Sequence, residues 1–178
     1  HRPVLFPGNG VRLAGAIEEF HQLVDILGIP VITGMSSVDA IEADHPCFVG
    51  RSGGTGTRPG NFALQNSDVL LSIGNRQGFT QTGFQYQDWA RESYTILNDI
   101  DENELKKPSL HVSLPVVGDA GELIRGLLAE AEKRGADKGH PLFKGDEWRK
   151  QCLLWKEKYP VVTAKHYETM EEGCTNIY

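Results

Sequence analysis

The residues best suited to chemistry in this sequence are glycines that stand directly after apolar, β-type runs: Gly8 and Gly10, Gly34, Gly50, Gly74 and Gly118. In an open parallel sheet a ligand sits at the carboxyl ends of the strands, near the point where strand order reverses. Glycine there lets backbone amides approach a bulky ligand or a phosphate, and an adjoining helix N-terminus adds positive potential. The same glycines would also serve as plain tight βα turns, but their shared edge favours a crevice. Asp99 and Asp101 follow a fifth apolar run, where they would either accept hydrogen bonds from a ribose or cap the next turn. Arg76, just after Gly74, would meet a phosphate, stack on a flat ring or form a rim salt bridge. His45 and His111 have no nucleophile or acid beside them, and no G-x-S-x-G, H-E-x-x-H or G-x-x-x-x-G-K-[ST] pattern is present. The first turn, Gly8-x-Gly10-x-x-Leu13, lacks the third glycine or alanine of a dinucleotide fingerprint. Thr33-Gly34 lacks the acid that would hold a ribose, which disfavours a conventional NAD dehydrogenase. The residues alone therefore predict a nucleotide-sized crevice with no reacting group.

Six apolar runs would position these turns. Val4-Leu5-Phe6 reads as a buried strand, and Leu13, Ile17, Phe20, Val24 and Leu27 form one helical stripe that ends at Gly28. Ile29-Pro30-Val31-Ile32-Thr33 completes a β-α-β unit, whose strands should be parallel and joined right-handedly. Cys47-Phe48-Val49 predicts a third strand, entering a glycine-dense stretch before a helical turn around Asn61–Leu64. Val69–Ile73, Tyr94–Leu97 and Leu110–Val117 supply the fourth, fifth and sixth, with Pro115 marking an edge position. Asp119 caps a helix with Leu123, Ile124, Leu127, Leu128 and Ala131 on its apolar face, and Gly135 stops it. The fold class is thus α/β: a Rossmann-like six-stranded parallel sheet with helices on both faces. Residues 1–134 form that domain, and 135–178 a helical or irregular linker tail. The tail should carry a helix at about residues 146–158, whose Trp148, Cys152, Trp155 stripe has no obvious partner in a finished sheet and is expected to pack outside it or against a missing domain.

With 178 residues the chain holds one ordinary domain plus a tail, and no apolar run approaches the roughly 18 residues that span a bilayer. A formal charge of -6 without a basic patch argues against a nucleic-acid partner. Cys47, Cys152 and Cys174 are odd in number and lack metal-ligand spacing, which points away from zinc and disulfides and towards a reducing cytoplasm. His1-Arg2-Pro3 leads straight into a strand, leaving no room for a signal peptide, and the chain stops at Tyr178 inside what reads as a new element. A segment of a longer polypeptide is expected.

The order of motifs resembles the central domain of thiamine-diphosphate-dependent enzymes, nearest to the acetolactate (acetohydroxyacid) synthase branch. The likeness rests on Pro3-Val4-Leu5-Phe6-Pro7-Gly8-Asn9-Gly10-Val11, Ile29-Pro30-Val31-Ile32-Thr33, Asp44-His45-Pro46 and Gly56–Leu64. It continues through Ser67-Asp68-Val69-Leu70-Leu71-Ser72-Ile73-Gly74-Asn75-Arg76, Asn98-Asp99-Ile100-Asp101 and Val117-Gly118-Asp119-Ala120. It covers roughly residues 3–134, and Thr175-Asn176-Ile177-Tyr178 resembles the first helix of that family's C-terminal domain. The resemblance implies a full-length transferase or lyase that joins or cleaves 2-keto acids, a cytoplasmic homo-dimer or tetramer. Its thiamine diphosphate and magnesium are held by flanking N- and C-terminal domains, so the segment alone should be inactive.

In the synthase branch the central domain binds FAD, and the matching positions follow strand by strand. They are Gly8, Asn9 and Gly10; Gly34 and Met35; Gly50 and Arg51; Gly74 and Arg76; Asp99, Ile100 and Glu104; and Gly118 and Asp119. FAD or ADP is the implied ligand, and no residue is implied to be catalytic or metal-binding. Where the synthases usually carry R-F-D-D-R this chain has Arg76-Gln77-Gly78-Phe79-Thr80. Two other readings stand beside this one: a free-standing sirtuin-like NAD-binding enzyme, and a purely structural interaction module.

Overall fold

Alternation of period two decides which side chains meet on each side of the sheet. Leu5, Val31 and Ile73 enter one core, while Val4, Phe6, Ile32, Val49 and Leu70 enter a second on the opposite face. The computed structural model describes residues 1–167; Cys174 and the Thr175–Tyr178 segment lie outside them. Six parallel strands form the sheet: β1 (Pro3–Pro7), β2 (Val31–Thr33), β3 (Phe48–Arg51), β4 (Val69–Ile73), β5 (Tyr94–Asp99) and β6 (Leu114–Val117). Their order is β3-β2-β1-β4-β5-β6. Every pairing is parallel, with Leu5 beside Val31 on one side of β1 and beside Leu71 on the other. The expected six-stranded α/β sheet is present, and Pro115 sits in β6, an edge strand paired only with β5.

Helices cover both faces: α1 (Asn9–Leu13), α2 (Ile17–Leu27), α3 (Arg58–Asn66), α4 (Phe79–Thr82), α5 (Glu102–Leu105), α6 (Ala120–Lys133) and α7 (Asp146–Lys158). Phe20, Leu23 and Val24 of α2 share the first core with Ile124 and Leu128 of α6. Ala63 and Leu64 of α3 lie in the second. The predicted single helical stripe starting at Leu13 is corrected. The chain turns at Ala14-Gly15-Ala16, where Gly15 takes a φ of +65° and its amide bonds to the Arg12 carbonyl, so α2 starts afresh at Ile17. Leu13 is left 80% exposed, facing the carboxyl rim of the sheet.

The α7 stripe is the second correction. Its bounds match the sequence pattern, but Trp148 and Cys152 are buried in the second core beside Val4, Phe6 and Leu64. Trp148 Nε1 donates to the Pro3 carbonyl at 3.0 Å, and its ring meets Trp155 edge-on with centroids 5.7 Å apart. Lys156 Nζ ties the helix to the Ala43 and Phe48 carbonyls at 2.7 and 2.9 Å. The stripe packs against β3 and against α3 itself, where Phe62 meets Trp155 edge-on with ring centroids 5.6 Å apart.

Helix α6 begins as expected, with Asp119 Oδ1 accepting from the Gly121 and Glu122 amides at 2.9 and 3.1 Å. Gly126, exposed in mid-helix, has nothing within 4 Å of where a Cβ would stand. Gly126→Ala should raise stability by about 0.7 kcal/mol through helix propensity and a less flexible unfolded chain. Urea denaturation would read this as a higher midpoint at unchanged slope. Among the described residues no helix is long and apolar enough to cross a membrane.

Candidate functional site

Strand order reverses between β1 and β4, since the chain moves outward from β1 to β2 and β3 and then returns to place β4 on β1's other side. The turns leaving the two strands diverge there, and a cleft of about 1030 Å³ opens at the carboxyl ends. Its floor is a series of backbone contacts. The Gly8 amide donates to the Ile73 carbonyl at 2.8 Å and the Gly10 amide to the Gly74 carbonyl at 2.9 Å. A Cβ on Gly8 would clash with the Gly74 carbonyl oxygen and stand 2.5 Å from Asn75 Cβ, so only glycine permits the two turns to stack.

Asn98, at 1% exposure, extends the floor. Its Oδ1 accepts from the Gly74 amide at 3.1 Å, while its Nδ2 donates to the Val116 and Gly118 carbonyls at 3.1 and 2.9 Å. The Gly118 amide in turn donates to the Asp99 carbonyl at 3.0 Å. One buried amide side chain thus spaces the turns that follow β4, β5 and β6.

Most of the residues expected at this rim line the cleft. Asn9 and Gly10 come from the first turn, Gly34 and Met35 from the second, and Gly74 and Arg76 from the fourth. Asp99, Ile100 and Glu104 come from the fifth, Gly118 and Asp119 from the sixth. Gly8 lies beneath the surface, stacked on Gly74. Gly50 and Arg51 do not reach the cleft because β3 runs on through both. A Cβ on Gly50 would clash with Thr57 Oγ1, and the Arg51 carbonyl accepts from the Thr57 amide at 2.8 Å, so this pair docks α3. Ser52 and Thr55 line the cleft in their stead.

Sequence reasoning missed Asn75, Gln77, Gln81 and Asn98. Gln77, 2% exposed, holds a left-handed φ of +52°, and its Nε2 donates to Ser72 Oγ at 2.8 Å. Gln77 Oε1 and Asn75 Nδ2 are buried with no hydrogen-bond partner among the described residues. Gln81 Nε2 reaches Ser52 Oγ at 2.7 Å and closes the side towards β3. The available signal was a polar residue at the end of an apolar strand, visible for Asn98; a buried glutamine in a loop gives none.

Charge is concentrated on the β5 side. Arg76 Nε donates to Glu104 Oε1 at 2.9 Å, and Lys107 Nζ pairs with Glu104 Oε2 at 2.7 Å. The hydrogen bond from Lys107, then its charge and that of Arg76, hold the Glu104 carboxyl below its usual range, so the pair is intact above ordinary glutamate values and lost only as pH falls below them. Asp99 Oδ1 accepts from the Asp101 amide at 3.0 Å, and Asp101 Oδ1 caps α5 through the Asn103 amide at 2.9 Å. Leu13, Met35 and Ile100 are 80, 60 and 75% exposed around the mouth, an apolar rim suited to a flat ring.

No histidine, cysteine or lysine lines the cleft among the described residues. His45 instead accepts from the Cys47 amide through Nδ1, and His111 is exposed elsewhere. Burial pushes the Cys152 thiol up to about 12 and raises Cys47 as well, which keeps both protonated and unreactive. No group of three or more metal-ligating side chains occurs among the described residues. Among the described residues, no hydroxyl that lines the cleft shares a hydrogen bond with a carboxylate or an imidazole.

The family model described as thiamine pyrophosphate enzyme, central domain, matches residues 1–127. A probable acetolactate synthase large subunit from Methanococcus aeolicus is 38% identical over 131 residues, 74% of this chain and 22% of the relative. The acetolactate synthase large subunit of Corynebacterium glutamicum is 35% identical over 136 residues, 76% of this chain and 21% of its own length. Acetolactate synthase isozyme 3 large subunit of Escherichia coli K12 is 25% identical over 170 residues, 96% of this chain and 29% of the relative, a span that takes in α7. The chain therefore spans less than a third of the curated relatives it matches.

Proposed function

From the premise that this chain belongs to the thiamine pyrophosphate enzyme central-domain family, we propose that it is the non-catalytic scaffold of an acetolactate-synthase-like enzyme acting on 2-keto acids, with an accessory nucleotide cleft. The observation that carries the proposal is the cleft at the switch point, built from glycine turns stacked on one another. In this reading the flanking domains of the same polypeptide hold thiamine diphosphate and magnesium, and the whole assembles as a cytoplasmic homo-dimer or tetramer. FAD or ADP would enter the cleft, with Asp99 accepting from ribose hydroxyls and Leu13, Met35 and Ile100 flanking a ring. Arg76 and the turn residues Asn9, Gly10, Gly34, Gly74 and Gly118 would face the phosphates. The donor set fits the ring and the sugar; the amides of Gly10, Gly74 and Gly118 are used within the chain, while the start of α1 at Asn9 carries no side-chain cap and would face a phosphate.

Thermal unfolding in excess FAD or ADP tests the cleft. Ligand at 100 times its Kd should add about 2.7 kcal/mol of stability. An unchanged midpoint with both would remove the nucleotide part of the proposal. The scaffold part is tested separately by supplying the chain with pyruvate, thiamine diphosphate and magnesium, where measurable carbon dioxide release would contradict it.

A further inference from the structure

We infer that residues 78–88 form a lid, which closes over a flat ring at the mouth of the cleft and covers it with Phe79 and Phe84. The inference deepens the accessory-cleft reading above and rests on it. Three features of the structure converge on it.

The first is how lightly this segment is held. It runs between two buried residues, Gln77 at 2% exposure and Trp89 at 6%, and no residue between them is buried. Helix α4 lies within it and contributes nothing to either core. Among the described residues, two hydrogen bonds tie the segment to a distant part of the chain, from the Gly54 amide to the Thr80 carbonyl at 3.0 Å and from Gln81 Nε2 to Ser52 Oγ at 2.7 Å. Few buried contacts and few bonds make a segment that opens at low cost. The second is where the backbone can turn. Gly78 and Gly83 flank α4, and a Cβ at either has nothing within 4 Å, so close packing does not account for them. Gly83 also takes a φ of +76°, which glycine adopts without strain. Just outside the segment, Gln77 and Ala90 hold left-handed φ values of +52° and +47°, the two non-glycine residues to do so among the described residues. Backbone held in that region at both ends of an exposed segment stores strain that a change of conformation can release.

The third is a pair of apolar surfaces that lack a cover. Phe79 and Phe84 are 66 and 88% exposed, with ring centroids 5.6 Å apart, and neither lines the cleft. At the mouth stand the exposed Leu13, Met35 and Ile100. Thr80 and Gln81 of α4 already line the cleft, and a Cβ on Gly34 would stand 2.9 Å from Gln81 Oε1, which puts α4 beside the turn that carries Met35. Rotation about Gly78 and Gly83, with release of the two hydrogen bonds, carries the phenylalanines towards that rim. A planar ring seated between the two surfaces removes both from water, and ring-on-ring contact adds to the burial. Without a ring that gain is missing, so the bonds to Ser52 and Gly54 hold the lid back.

Stopped-flow dissociation of FAD, as the probe, from the parent chain and from the Phe79→Ser and Phe84→Ser variants decides the matter. Both side chains are exposed, so each free variant should melt within about 2 °C of the parent. Each should release FAD on the order of fivefold faster, because the ring loses an aromatic cover that is made only when the lid is shut. Bound FAD should also slow chymotryptic cleavage after Phe79 and Phe84, sites that an exposed segment offers first in the free chain. Unchanged dissociation from either variant, or equal cleavage with and without bound FAD, would overturn the lid and leave the cleft reading standing. Failure of FAD to bind the parent chain would overturn the lid, and failure of ADP as well would remove the reading beneath it.

Discussion

Trp148→Ala should destabilise the domain by about 4 kcal/mol. Truncating a buried tryptophan removes its transfer free energy and leaves a cavity that a packed core closes only in part. Trp148 is 7% exposed, stands on Val4 and Phe6 of the second core, and meets Trp155 edge-on. Its Nε1 also donates to the Pro3 carbonyl at 3.0 Å. In a chain of this size such a loss lowers the unfolding midpoint by roughly 10 °C or more. Trp148→Phe keeps most of the ring and loses the donor, and should cost about half as much. A shift under about 1 kcal/mol for Trp148→Ala in urea denaturation would mean that α7 is not a working part of this core.

Gly8→Ala should cost about 3 kcal/mol, at the upper end of overpacking. The new methyl group would overlap the Gly74 carbonyl oxygen and Asn75 Cα, and both are backbone atoms that no rotamer change can clear. Relief requires the first and fourth turns to separate, which breaks the 2.9 Å bond from the Gly10 amide to the Gly74 carbonyl. Gly78→Ala is the control, since a Cβ there has nothing within 4 Å, and should stay within about 0.5 kcal/mol of the parent. Equal melting curves for the two variants would show that the floor is looser than the stacked turns require.

The sheet was legible because its signal is local. Val69–Ile73 is apolar except for Ser72, and the strand has those bounds. Asp119 announces the start of α6 in the same way, because a cap acts only on the next few amides. What could not be read depends on surfaces meeting across the chain. The α7 periodicity gave the helix its length but not its seat, since a stripe does not say whether the uncovered part of a sheet or a separate domain will receive it. Gly50 and Arg51 looked like a turn, yet β3 is extended by pairing with β2 as far as Thr33 opposite Arg51. Leu13 fits a helical stripe until Gly15 breaks it. Of the site, the glycine turns and Asp99 carried a sequence signature, whereas Gln77 is buried by a loop conformation that no short motif encodes.

Asn98 bonds to the turn after β4 and to β6 together with the turn that follows it, while the ion pairs of Arg76 and Glu104 lie at the exposed lip. Foundation and facing are therefore separate parts of the chain. Substitutions at the lip can change the charge around the cleft without disturbing how the strands are spaced.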